Sequence, residues 1–137
     1  MTVGEETMPI TVRDEEYLEA MYLLRRSKGS VRLKDIAEML NIRAPTAVEA
    51  LERLADKGLI IYEKRGVLDL TPAGEDVARE IYSRHQELKE FFQEVLSLPE
   101  DLAEEEACRI EHHIRPETLE RMTRLTRKLR DMGIRVE

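Results

Sequence analysis

Residues 104–115 read EEEACRIEHHIR and place the chain's one cysteine and two of its three histidines within six residues of each other. Thiolate, imidazole and carboxylate are the side chains that bind transition metals. On a helix, positions i, i+3 and i+4 share a face, so Cys108, Glu111 and His112 project together while His113 turns away by about 100°. The flanking apolar positions Ala103, Ala107, Ile110 and Ile114 form a separate stripe for a core or a partner, and its two alanines let another helix approach closely. Glu16 and Glu19 repeat the i, i+3 spacing near the N-terminus, and His85 lies between the two groups. A single histidine is usually a satisfied core or surface residue and a glutamate pair a solvated face. It is the combination of donor types, joined to the elements described next, that points to a metal centre.

Composition bounds what surrounds that centre. A chain of 137 residues accommodates one medium domain or two small elements sharing a core. Hydrophobic residues at 42% and charged residues at 37% suit a helix-rich globular protein and exclude a disordered one. No apolar run approaches the roughly 18 residues of a membrane span, and the acidic start MTVGEETMPI lacks a signal-peptide pattern. A cytoplasmic protein without membrane contact is expected. One cysteine excludes an intramolecular disulfide, so Cys108 is either a small buried apolar residue or a reduced thiol with a chemical role. The net charge of −7 is unevenly spread: residues 25–65 hold ten Lys/Arg against six Asp/Glu, or +4, and the remainder twelve against twenty-three, or −11. A basic segment in an acidic body is compatible with a nucleic-acid partner.

The periodicity predicts an amphipathic helix over 14–26, with Leu18, Met21, Tyr22 and Leu24 inward and Gly29 as its stop. A short helix over 33–40, a turn at Asn41-Ile42-Arg43 and a helix from Pro45 to Lys57 ended by Gly58 make a helix-turn-helix. LIIYEKRGVLDLT follows, rich in β-formers and broken at Lys64-Arg65-Gly66, which reads as a hairpin. A helix-turn-helix followed directly by a hairpin is a winged helix. Thr71-Pro72 then caps a long helix to about Leu96, followed by helices from about Glu100 to Ile114 and from Pro116 to Met132, the last with a stripe of Leu119, Met122, Leu125, Leu129 and Met132. The expected fold is mainly α with a small β-wing, divided into a winged helix-turn-helix DNA-binding domain over 1–72 and a helical dimerisation and metal-binding domain over 73–137.

The second helix of a helix-turn-helix lies in the major groove with its leading residues at base edges. Arg43, Pro45, Thr46 and Glu49 hold that end; Thr46 suits a thymine methyl or base acceptor, and Arg43 a phosphate or guanine. Lys34 is placed for a phosphate, and Lys64 and Arg65 at the hairpin tip for the flanking backbone or minor groove. Glu49 and Glu52 oppose this reading electrostatically, because phosphate neutralisation needs cations.

Taken together, EEYLEAMYLL, DIAEML with the helix after it, LIIYEKRGVLDLTPAG, SRHQELKEFF and EEACRIEHH resemble the diphtheria toxin repressor and manganese transport regulator family of metal-dependent transcriptional repressors. The resemblance covers nearly the whole chain, and EEACRIEHH is its most specific part. It implies a homodimer that binds double-stranded operator DNA when loaded with a divalent metal ion. It also implies ligands: Cys108, Glu111 and His112 match the primary site of iron-type members, and Glu16 falls where that branch has methionine and the manganese branch aspartate. Glu19 and His85 resemble ligands of the paired site in the manganese branch, with Glu111 as the bridge. Three positions depart from the pattern. Cys108 replaces a manganese-branch glutamate, Lys89 stands where iron-type members supply an ancillary carboxylate, and Glu104 stands in for an ancillary histidine. The chain ends before the SH3-like third domain of many iron-type members, so the two-domain build of the manganese branch is expected.

A carboxylate-rich shell favours Mn2+ and Fe2+, whereas a thiolate raises affinity for Fe2+, Co2+ and Zn2+. The expected signal is Fe2+ or Mn2+, with Zn2+, Co2+ or Ni2+ able to substitute in vitro. Phe91, Phe92, Val95, Leu96, Ala103, Ala107 and Ile110 are the expected two-fold interface. One rival reading is a winged-helix regulator of another type with Cys108 as a redox or zinc sensor; the surrounding glutamates would raise the thiol pKa and blunt it. The other is a small metalloenzyme, which the absence of HExxH and of a nucleophile set disfavours.

Overall fold

The computed structural model describes residues 9–134. Residues 1–8, most of the acidic start, and residues 135–137 of the expected second domain lie outside the described residues. The fold is mainly α with one small antiparallel sheet: α1 (Val12–Lys28), α2 (Leu33–Leu40), α3 (Ala44–Asp56), β1 (Ile60–Tyr62), β2 (Leu68–Leu70), α4 (Pro72–Glu94), α5 (Glu100–Ile110) and α6 (Pro116–Asp131). The chain divides into two compact units, Met1–Arg79 and Glu80–Glu137. Among the described residues, no helix is long and apolar enough to cross a membrane.

In the first unit, α1 begins at a capping box. Thr11 Oγ1 accepts from the Asp14 amide and the Asp14 carboxylate accepts from the Thr11 amide, each at 3.0 Å. The helix ends at Gly29, whose φ of 79° is the left-handed conformation that closes helices. The helix-turn-helix and α1 share one core, in which Leu18, Met21, Ile36, Ala47, Leu51 and Leu54 are fully buried. Truncating Leu51 or Leu54 to alanine should cost about 2–5 kcal/mol. Asp14 also receives Lys57, at the end of α3, in a buried ion pair. Burial pushes the Asp14 carboxyl up, but the bonds from Lys57 and Thr11 outweigh it and hold it below its ordinary value.

The hairpin pairs Ile60 with Leu70, Ile61 with Asp69 and Tyr62 with Leu68. At its tip the Gly66 amide donates to Glu63 O at 3.0 Å, and the left-handed residue is Arg65, with φ 61°, rather than the glycine beside it. Behind the wing, Thr71 caps α4 by accepting from the Gly74 amide at 3.1 Å. A Cβ on Gly74 would lie 1.9 Å from the carbonyl oxygen of Leu59, so the helix start meets the strand start with no room for a side chain.

In the second unit the rest of α4 packs with α5 and α6 around Leu88, Phe92, Ala103, Ala107 and Leu119, with Phe91 edge-on to Phe92 at 5.9 Å. Ala103 and Ala107 are fully buried and Phe92 and Val95 nearly so, while Leu96 is half exposed and Phe91 and Ile110 are partly so. Two details differ from the sequence expectations. Leu125 on α6 and Met132 just past its end face solvent, and Thr126 turns inward, its hydroxyl donating to Met122 O at 3.0 Å. Lastly α5 stops at Ile110, and Glu111 to Ile114 form a turn.

Candidate metal centre and nucleic-acid interface

The turn after α5 does not scatter the donors, because Glu111 keeps right-handed helical dihedrals of −55° and −28°. Its amide donates to Ala107 O at 2.9 Å, and Arg84 Nη1 of α4 donates to its carbonyl at 2.8 Å, satisfying one of the acceptors that a helix C-terminus leaves open. Cys108 and Glu111 therefore still share a face, and His85 of α4 meets them there. The ligand atoms of His85, Cys108 and Glu111 all lie within 4.8 Å of one another. His85 Nδ1 is 2.6 Å from Glu111 Oε1 and 3.8 Å from Cys108 Sγ. The other carboxylate oxygen, Glu111 Oε2, lies 3.2 Å from His112 Nε2, so one buried carboxylate addresses two imidazoles.

Glu111 is 1% exposed and His85 5%. Burial opposes charging His85, but hydrogen bonding to Cys108 and to Glu111 outweighs it and raises its pKa from 6.5 to about 10. Glu104 takes a different position from Glu111: its Oε2 lies 2.8 Å from His85 Nε2, on the opposite side of the ring from Cys108 and Glu111. Lys89 Nζ holds the other oxygen of Glu104 at 3.1 Å and Glu100 Oε2 at 3.3 Å. One nitrogen, one sulfur and one carboxylate oxygen, two of the three side chains being buried, suit a divalent metal ion. On α1, Glu16 pairs with Arg13 at 2.7 Å and Glu19 is half-buried.

In the first unit the residues expected at DNA are on the surface. Arg43 caps α3 at its N-terminus, Pro45 sits in the first turn, and Arg43, Pro45, Thr46 and Glu49 are all exposed. Lys34 is exposed in the first turn of α2, and Lys64 and Arg65 are exposed at the wing tip.

Two family profiles match the chain. Residues 10–68 match the N-terminal DNA binding domain of iron dependent repressors, and residues 71–131 their metal binding and dimerisation domain. An uncharacterised helix-turn-helix-type transcriptional regulator of Methanocaldococcus jannaschii is 33% identical over 118 residues, which are 85% of this chain and 94% of that protein. The chain belongs to the iron-dependent repressor family. A second relative, the helix-turn-helix-type transcriptional regulator MntR of Lysinibacillus sphaericus, is 30% identical over 85% of this chain and 84% of its own length. Among solved structures, a manganese-dependent transcriptional repressor in complex with manganese aligns with a TM-score of 0.75 at 27% identity, covering 82% of this chain and 51% of that one. The chain thus spans about half the length of that structure. Iron-dependent repressors are transcriptional repressors, not enzymes, and they bind DNA, dimerise and bind divalent metal. Within this family architecture, α3 and the wing lie in the DNA-binding part and the His85–Cys108–Glu111 cluster in the metal-binding part.

Helical spacing alone groups Cys108 with Glu111 but leaves out His85, which lies 23 residues from Cys108 on another helix. Only the resemblance brings it in. Arg84 was not singled out in the sequence at all, and a cation seated on a helix-terminal carbonyl leaves no periodic signal.

Proposed function

We propose that this iron-dependent repressor is a cytoplasmic homodimer that binds operator DNA when loaded with Fe2+ or Mn2+ and so controls metal-homeostasis genes. The observation that supports this most is the convergence of His85 Nδ1, Cys108 Sγ and Glu111 Oε1 within 4.8 Å in a chain whose other part matches a DNA-binding domain. His112 lies on the second oxygen of Glu111 and extends the donor set. A bound ion would supply the charge and the coordination bonds that hold these donors. For DNA, Thr46 and Arg43 read bases, while Lys34, Lys64 and Arg65 neutralise phosphates. Zn2+, Co2+ and Ni2+ substitute in vitro because affinity follows ligand softness rather than cellular supply.

The test is binding of the full chain to palindromic DNA of family type, titrated with each metal and reversed by chelator. Metal-stimulated binding that Glu111→Ala abolishes supports the reading. DNA affinity indifferent to every divalent ion would defeat it.

A further inference from the structure

We propose that Glu104 and Lys89 are positioning residues of the metal centre: Glu104 orients the His85 ring from behind, and Lys89 holds Glu104 in place. The inference rests on the metal-centre reading above and assigns Glu104 a role other than that of a ligand.

An imidazole can offer a metal only one of its two nitrogens, and a hydrogen bond at the other decides which. Here the division is geometric. Nδ1 of His85 faces Glu111 Oε1 and Cys108 Sγ, while Nε2 faces Glu104 Oε2 at 2.8 Å. With the Nε2 proton donated to Glu104, the Nδ1 lone pair points to the place shared with the thiol and the buried carboxylate. The reverse orientation would turn the lone pair away from both.

Glu104 alone is a loose partner. Its side chain is 49% exposed, so solvent competes for it and several rotamers are open. Lys89 removes that freedom. It is 19% exposed, and its ammonium bridges Glu104 Oε1 and Glu100 Oε2, two carboxylates spaced i, i+4 on α5. His85 and Lys89 have the same spacing on α4, so the two helices meet as matched rungs. The ammonium also neutralises Glu104, which keeps that carboxylate from leaving the ring to bind the ion itself.

The experiment is a Co2+ titration of the full chain followed by absorbance, with Zn2+ competition, for wild type, Glu104→Ala, Glu104→Gln, Lys89→Met and the double variant Lys89→Met/Glu104→Ala. Wild type should develop the sulfur-to-cobalt charge-transfer band of a Cys108 bond. Glu104→Ala should bind ~10–100-fold more weakly with the same band and the same stoichiometry. Glu104→Gln keeps an acceptor for the Nε2 proton and should recover most of that loss. Lys89→Met should lose several-fold alone and nothing further on top of Glu104→Ala. In the Zn2+-loaded protein, the nitrogen shifts of His85 should place its proton on Nε2. Wild-type affinity in Glu104→Ala, or a loss of one ion per chain or altered ligand-field bands in it, would overturn the proposal while leaving the metal centre intact. A wild-type protein without the sulfur band would overturn the centre itself and this role with it.

Discussion

His85 and Glu111 bond each other directly, Nδ1 to Oε1 at 2.6 Å, through the atoms that a metal ion would need. Hydrogen bonding to Cys108 and Glu111 raises the His85 pKa from 6.5 to about 10, so the imidazolium stabilises the metal-free fold fully below about pH 6.5 and that contribution is lost as pH rises through about 10. Metal must expel the proton. Metal affinity is therefore expected to climb with pH across this window, by up to about tenfold per unit for each proton released. Calorimetry near pH 7.5 in buffers of different ionisation enthalpy should count that proton, and His85→Gln should lose it. An unchanged proton count in His85→Gln would remove His85 from the ligands.

Glu16 is already engaged by Arg13 at 2.7 Å, with both side chains partly exposed. If Glu16 binds the ion, Arg13 is its competitor, and an exposed pair of this kind is worth only about 0.2–1 kcal/mol. Arg13→Ala is then expected to tighten metal binding by no more than about fivefold. Glu16→Ala should weaken metal binding modestly yet uncouple it from DNA affinity. Paired metal and DNA titrations check both, and a Glu16→Ala protein still fully switched by metal would contradict the role.

The wing test must respect the backbone. Arg65 has φ 61°, where alanine is strained but asparagine is tolerated, so Arg65→Asn removes the charge with least distortion. It should weaken binding to all sequences about equally and lower the salt slope by about one. Thr46→Ala, on exposed α3 surface, should instead relax sequence preference at one position by about 1–3 kcal/mol. Fluorescence anisotropy at several salt concentrations separates the two. An unchanged slope in Arg65→Asn would place the tip away from phosphate.

Cys108 supplies the only soft donor of the cluster. Cys108→Glu is expected to lower affinity for Zn2+ and Co2+ relative to Mn2+, by on the order of tenfold or more, since hard oxygen replaces thiolate. Competition titrations give the order directly. An unaltered order would take Cys108 out of the coordination shell.

Much of this architecture was legible because its signals are local. The capping box at Thr11 and Asp14, the glycine stop at Gly29 and the apolar period of Leu18, Met21 and Leu24 each act within a few residues. Where expectation and structure part, the cause is nonlocal or hidden by polarity. Thr126 reads as a surface residue, yet a bond to its own helix backbone lets it face inward. Leu125 and Met132 fit the apolar period of α6 and its end, yet both are exposed in the single chain. The donor group was half legible from the residues alone: spacing pairs Cys108 with Glu111, whereas His85 enters only through the resemblance, and its contacts with Glu104 on one nitrogen and Cys108 and Glu111 on the other depend on α4 lying along α5.

The junction of Gly74 with the Leu59 carbonyl, where even a methyl group would lie 1.9 Å from the oxygen, sets a limit on mutational tolerance. Position 74 touches neither an expected base contact nor a metal donor, yet no other amino acid fits without moving the strand backbone. In a saturation mutagenesis scored by repression it should stand out as a blank column. Alleles recovered there should fail through a displaced wing while their isolated protein still takes up metal.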